Sequence, residues 1–224
     1  MQIKWTRDEV ILAVACALQN PVASLNEDSP PVRELSEVLR TLPIVPLEDR
    51  DASFRGPRGL QGQYALLRLS IAKGEKYKHI GNDFIGVYQE NCNNPAHILA
   101  VADAITACRE LYAELPFGSK EEQLDFPEGA LLGHLHRYCE QRDGSSANAS
   151  VACEICGMTA TAYPVAQPIM LIEPHLLAAP ETMRPGDRYA KNQFIYVCPN
   201  CHKVLHQLRP WHGDKESCKG LLRQ

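Results

Sequence analysis

Apolar positions in the first half of the chain recur every three or four residues, the period of helices that each bury one face. Thr6-Arg-Asp-Glu9 has the form of a capping box, in which a Thr side chain caps the first turn and a Glu three residues on reaches back. Val10, Ile11, Ala13, Val14 and Leu18 then predict an amphipathic helix that Asn20 and Pro21 end. Ser29-Pro-Pro31 opens a second helix with Val32, Leu35, Val38, Leu39 and Leu42 on its inner face, stopped by Pro43 and Pro46. The polar, glycine-containing stretch from Asp49 to Gly62 predicts a loop, and Gln63 to Ile71 a helix or buried segment. A short helix is expected over Asn82 to Gln89. A long one should cover Pro95 to Leu115, with Ile98, Val101, Ala102, Ile105 and Tyr112 inward.

Beyond Leu115 the pattern changes. Ser119-Lys-Glu-Glu122 resembles a second capping box, soon interrupted by Phe126-Pro-Glu-Gly129. Gly129 to Gln141 predicts a helix carrying His134, His136 and Arg137, and Arg142 to Ser150 has the composition of a linker. After it, Ile169 to His175 and Phe194 to Val197 predict two strands, followed by a helix with His202 and His206 on one face. The expected division is a helical N-terminal domain over 1–118, a bridge over 119–150 and a metal-binding domain over 151–224.

Cysteine spacing gives that last segment its chemistry. Cys153-Glu-Ile-Cys156 and Cys198-Pro-Asn-Cys201 each suit a knuckle, a tight turn presenting two thiolates to one tetrahedral ion, and the all-sulfur set favours structural zinc. A redox Cys-x-x-Cys is the competing reading, and a second pair argues against it. The other five cysteines, Cys16, Cys92, Cys108, Cys139 and Cys218, are scattered and fit buried or inert thiols. Between and after the knuckles lie His175, His202 and His206. His202 and His206, four apart, share a helix face and can hold a second ion. His79, His97 and His212 lack such company and fit ordinary surface or core positions.

These residues resemble the zinc-containing HNH (ββα-metal) endonucleases, close to the modified-cytosine restriction endonuclease-like proteins. The likeness rests on Cys153-x-x-Cys156, Ile172-Glu-Pro-His175 and Cys198-Pro-Asn-Cys201-His202-x-x-x-His206. Phe126-Pro-Glu-Gly129 with His136-Arg137 and Glu140 is similar to that group's lead-in. Trp5-Thr-Arg-Asp-Glu9, Leu35-Ser36, Phe54-Arg55 and Gly59 are similar to the N-terminal domain often fused to it. The resemblance implies an α+β fold: a mainly helical N-terminal domain, then a ββα-metal domain with a four-cysteine zinc knot.

It also implies phosphodiester hydrolysis for restriction or defence. His175, His202 and His206 would act as catalytic ligands to Mg²⁺, Mn²⁺ or Ni²⁺, beside structural Zn²⁺ on Cys153, Cys156, Cys198 and Cys201. The partners implied are DNA, modified DNA included, and a second copy or another protein, with no membrane. The chain departs from the family at two places. Leu176 stands where the family has the second, proton-accepting His, and Gln193, next to Asn192, stands where it has Asn or Asp. A shifted frame, with His175 as base and Glu173 as ligand, or entry of His134 or His136, are the rescues available. The alternative function is a catalytically degenerate HNH protein serving DNA binding or complex assembly.

Bulk properties refine this modestly. The 224 residues are 45% hydrophobic and 22% charged with net charge −4, so the chain as a whole has no nucleic-acid signature. From Glu181 onward eight Lys or Arg face four Asp or Glu, a local basic bias. Arg55, Arg58 and the lysines from Lys73 to Lys78 are candidate phosphate contacts, set against solvated loop charge. No apolar run approaches the roughly 20 residues of a membrane span. Val10 to Leu18 follows Arg7, Asp8 and Glu9 rather than a basic lead-in, so a cytoplasmic chain is expected.

Overall fold

The first helix, α1 (Arg7–Gln19), starts at the expected capping box: Glu9 N–H donates to Thr6 Oγ1, and Glu9 Oε2 accepts the Thr6 N–H at 2.8 Å. Its burial differs from the amphipathic expectation, for every residue from Asp8 to Ala17 is buried. The small side chains of Ala13, Ala15, Cys16 and Ala17 let neighbours approach from all sides, so α1 is a central helix and not a surface one. The structure, a computed structural model, describes residues 3–74, 83–109, 126–144, 152–159, 171–208 and 215–221.

Around α1 pack α2 (Pro30–Thr41), α4 (Phe84–Asn91) and α5 (Ala96–Cys108), with α3 (Pro57–Lys73) against α2 and α4. The helix α3 corrects the loop expected over Asp49 to Gly62, because it begins at Pro57. A proline at the first helical position has its φ preset and lacks only an N–H that would be orphaned anyway. Leu60, Tyr64 and Leu67, spaced four and three, are then wholly buried at about 1.5–3 kcal/mol each, which outweighs Gly59 and Gly62. Tyr64 Oη donates to Ala13 O at 3.0 Å, tying α3 to the middle of α1. The helix expected to reach Leu115 ends at Cys108, with Arg109 as its C-cap. Residues 110–115 and the capping box at Ser119 lie outside the described residues, as do His79, His212, Lys76 and Lys78.

The expected linker also needs correction at its start. Helix α6 (Ala130–Cys139) passes directly into a π-helical turn, Glu140–Gly144. There Arg142 pairs with Asp143, which also accepts Arg188 Nη1 at 3.0 Å and the Tyr189 N–H at 3.2 Å. Burial would raise the Asp143 carboxyl, but the Arg142 contact leads the effects that hold it far below the usual carboxylate range. Arg142 to Gly144 is therefore a packed segment; 145–150 lie outside the described residues.

Two short strands follow, β1 (Glu173–Leu176) and β2 (Phe194–Val197), paired antiparallel with His175 opposite Ile195 and Leu176 opposite Phe194. The first begins at Glu173, later than the sequence pattern predicts. Two strands alone make a marginal sheet. This one is covered by the π-turn and by α7 (Pro199–Leu208), and β2 is buried at every position. A last helix, α8 (Lys215–Leu221), was not foreseen; Lys215 joins it to Glu154 at 3.3 Å.

Among the described residues the result is a mixed, mostly helical fold with one small sheet. Buried side chains of the helical and sheet-bearing halves form one continuous apolar cluster, reaching from Val10 to Cys218. The turn Pro180–Thr182, in the excursion between the strands, packs on α5. Among the described residues no helix is long and apolar enough to cross a membrane.

Candidate metal centres

Cys153, Cys156, Cys198 and Cys201 come together, each offering a sulfur within 4.8 Å of the others. Cys156 Sγ and Cys198 Sγ are 3.7 Å apart. That is far beyond a disulfide bond of about 2.05 Å. It matches the edge of about 3.8 Å expected for a tetrahedron of sulfurs about 2.3 Å from one ion. The first knuckle is shaped by its backbone: Cys153 N–H donates to Met158 O and Gly157 N–H to Cys153 O, both bonds short and regular. Gly157 sits at φ +74°, a left-handed turn that a side chain would strain. Glu154 pins this knuckle to β2, donating its N–H to Tyr196 O at 2.9 Å and accepting the Tyr196 N–H on Oε1 at 3.0 Å. Burial opposes ionisation of Cys153, yet N–H groups of Cys156, Cys198 and Ile155 aimed at its sulfur outweigh it and bring the thiol down to about 7. These four cysteines can bind a metal ion such as zinc.

The second cluster is built from three elements. The strand period of two puts Glu173 and His175 on the face of β1 toward α7. The i, i+4 spacing on α7 brings His202 and His206 to the same place, with Nε2 atoms 3.0 Å apart. The π-turn supplies Glu140. One oxygen of this buried carboxylate, Oε1, lies 3.5 Å from His175 Nδ1 and 3.4 Å from His202 Nε2, and accepts the Leu176 N–H at 3.0 Å. Glu140, His175, His202 and His206 each offer an atom within 4.8 Å of the rest.

Next to this set are two further groups. Glu173 Oε2 is 2.7 Å from His202 Nδ1 and accepts its proton, which turns Nε2 of that ring toward the cluster. His136 Nε2 donates to Leu176 O at 3.1 Å while its Nδ1 stands 3.4 Å from Glu140 Oε1. Burial alone would raise the Glu140 carboxyl, but the His136 and His202 imidazoles outweigh it and hold Glu140 well below the usual carboxylate range. Burial drives His175 well below and His206 down to about 3, favouring the neutral imidazoles that ligate metals. Burial also opposes the charged form of His202, but Glu140 and Glu173 prevail and raise it.

Of the histidines named from sequence, His175, His202 and His206 are gathered and His136 stands beside them. His134 is half-buried and not part of the set, and His97 faces Glu181 at 3.6 Å. Leu176 is wholly buried. Gln193 is turned away: its Oε1 caps its own turn by accepting the Ala190 N–H at 2.8 Å. Glu140 entered the sequence reading only as part of a lead-in motif. The signal available was its place four residues after His136 on one helix face, which brings a carboxylate and an imidazole together.

Outside the cluster, the candidate phosphate contact Arg55 is an internal group. Its side chain is 8% exposed, forks onto Glu9 at 2.6 and 2.9 Å, and lies over the Trp5 ring at 4.3 Å. Arg58 and Lys73 are exposed. Of the remaining cysteines, Cys16, Cys108, Cys139 and Cys218 are buried and Cys92 is exposed. The second cluster opens on a cleft of about 520 Å³ lined by Glu140, Glu173, His202 and His206, with Arg137 and Lys203 at its sides. Compared with protein-family models, with curated proteins and with solved structures, the chain matches none of them.

Proposed function

We propose that the chain is a metal-dependent DNA endonuclease of the HNH (ββα-metal) type, serving restriction or defence. The observation that carries this reading is the imidazole-rich cluster on a strand–strand–helix frame at the floor of a cleft flanked by two cations. The four-cysteine cluster holds the two ends of that frame and takes the part of structural zinc. His175, His202 and His206 would hold a divalent ion. Such an ion supplies Lewis-acid charge to a phosphodiester and to water. Arg137 and Lys203 meet the non-bridging phosphate oxygens and bring the backbone of a nucleic acid to the cleft. Glu173 keeps the His202 ring in one tautomer and one orientation.

Proton removal from water has no group at its customary place, since Leu176 is apolar and buried. That observation favours a second reading, in which the frame binds DNA or a partner chain and does not cleave. The test is a cleavage assay of the full chain on modified and unmodified plasmid with Mg²⁺, Mn²⁺ or Ni²⁺, with His202→Ala as control. Metal-dependent nicking that vanishes in His202→Ala is the expected outcome. Intact plasmid under every condition, from folded zinc-loaded protein, would reject the nuclease reading in favour of binding or assembly.

A further inference from the structure

We infer that Glu140 is a fourth protein ligand of the second centre, making it a Glu-His₃ site that takes a zinc-class transition metal rather than magnesium. The inference deepens the metal-binding half of the reading above and is independent of whether DNA is cut.

Distances make the first argument. Glu140 Oε1 is 3.5 Å from His175 Nδ1 and 3.4 Å from His202 Nε2. Both exceed the roughly 2.7–3.2 Å of an N–H···O hydrogen bond. Both agree with the separation of about 3.3 Å between ligands placed 2.0–2.1 Å from one ion in a tetrahedron. His206 Nε2, at 3.0 Å from His202 Nε2, falls close to the same edge length.

The second argument is charge. The Glu140 side chain is 5% exposed, and among the described residues its ion partners are imidazoles rather than Lys or Arg. A carboxylate removed from water needs a compensating positive charge close by. With Glu173 accepting from Nδ1 of His202, Nε2 of that ring and the carboxylate both face a common space. A divalent cation there satisfies both.

Donor chemistry then selects the ion. Magnesium prefers six oxygens in an octahedron and retains several waters. Three imidazole nitrogens and one carboxylate oxygen suit zinc or its late first-row neighbours. The fold also aims Glu140 deliberately: its carboxylate is held by the Leu176 N–H at 3.0 Å and flanked by His136, and its backbone opens a π-turn, a distortion that α-helices often place at functional sites.

The test is metal content of the full chain, purified under reductant and equilibrated against a zinc buffer, for wild type, Glu140→Gln, Glu140→Asp and Cys198→Ser. Wild type should hold two zinc ions, one for each cluster. Glu140→Gln preserves an acceptor for the Leu176 N–H but lacks the charge. It should keep the cysteine-bound zinc and weaken the other by at least about tenfold, with Glu140→Asp in between. In cobalt-loaded protein the cysteine site is marked by its thiolate charge transfer, weakened in Cys198→Ser, and the remaining nitrogen–oxygen ligand-field bands should change in the Cys198→Ser, Glu140→Gln double variant. Should Glu140→Gln fail to fold, the affinity and spectrum of Glu140→Asp decide instead. Wild-type zinc affinity together with an unchanged cobalt spectrum in the carboxylate variants would overturn the assignment. So would magnesium displacing zinc from the second site at equal concentration. Two tightly bound zinc ions in a protein that cuts no DNA would uphold it while rejecting the nuclease.

Discussion

Asp8 is a charged group placed where charge is costly, and its replacement by Asn gives a sharp test of the packing described above. Its carboxylate accepts the Ala130 N–H at 2.9 Å and the Leu131 N–H at 3.0 Å, so α1 caps the start of α6 across 122 residues of chain. Burial nevertheless raises its carboxyl from 3.8 to about 6, the two amides recovering only part of the loss. A shift of that size corresponds to about 3 kcal/mol of folding free energy. Because the folded-state value lies above the unfolded one, the folded chain binds this proton more tightly. The stabilisation is complete below about pH 4 and is lost as pH rises through about 6. Between about pH 5 and pH 8 the loss amounts to about 1.4 kcal/mol. Asn cannot titrate and turns an N–H₂ toward one of the two amides, a cost of about 1–2 kcal/mol at every pH. Urea unfolding of wild type and Asp8→Asn, followed by circular dichroism at saturating zinc, should therefore show a wild-type advantage that shrinks by about 1.4 kcal/mol from pH 5 to pH 8. Metal-ligand titrations are common to both proteins and cancel in the difference. A difference that stays level across this window, or grows with pH, would refute the account of Asp8 as a buried, titrating cap.

Two further outcomes follow from contacts already described. Arg55→Ala leaves Glu9 buried without its partner and should cost about 3–5 kcal/mol in denaturant unfolding, while DNA retention by the folded fraction on a mobility-shift gel stays as in wild type. Gly144→Ala would drive a methyl into Pro174 Cβ and place it 3.2 Å from Phe194 Cδ1, forcing the π-turn off β1. It should lower stability by about 1–3 kcal/mol and release zinc from the Glu140 side first, measured as melting temperature and metal content.

Elements governed by local chemistry could be read directly from sequence. The capping box at Thr6, the proline pair at Pro30, the two Cys-x-x-Cys knuckles and the His pair on α7 each declare themselves within a few residues, and each is found where expected. What escaped was decided by distant neighbours. The start of α3 at Pro57 depends on burying Leu60, Tyr64 and Leu67 as the helix packs on α2 and α4, and no window of composition contains those partners. Arg142 to Gly144 has linker composition, yet Asp143 is fixed by Arg188 and Tyr189, 45 and 46 residues onward. Glu140 likewise acquires its meaning from His175 and His202, brought beside it by the sheet and by α7. Long-range pairing of this kind leaves no period in the sequence.

The two knuckles also have a consequence for how the chain is held when it is not folded. Between Cys156 and Cys198 lie 41 residues, including both strands and the excursion that packs on α5. An ion gripping all four sulfurs acts as a cross-link around that loop, and closing a loop of such length restrains the open chain by about 4 kcal/mol in the chain-entropy treatment. A disulfide would impose the same restraint permanently. With a metal ion such as zinc held there, its strength would follow the free concentration of that ion and the protonation of Cys153, whose thiol is brought down to about 7. The supply of that ion would then set the persistence of β1 beside β2, and with it the lifetime of the site they carry.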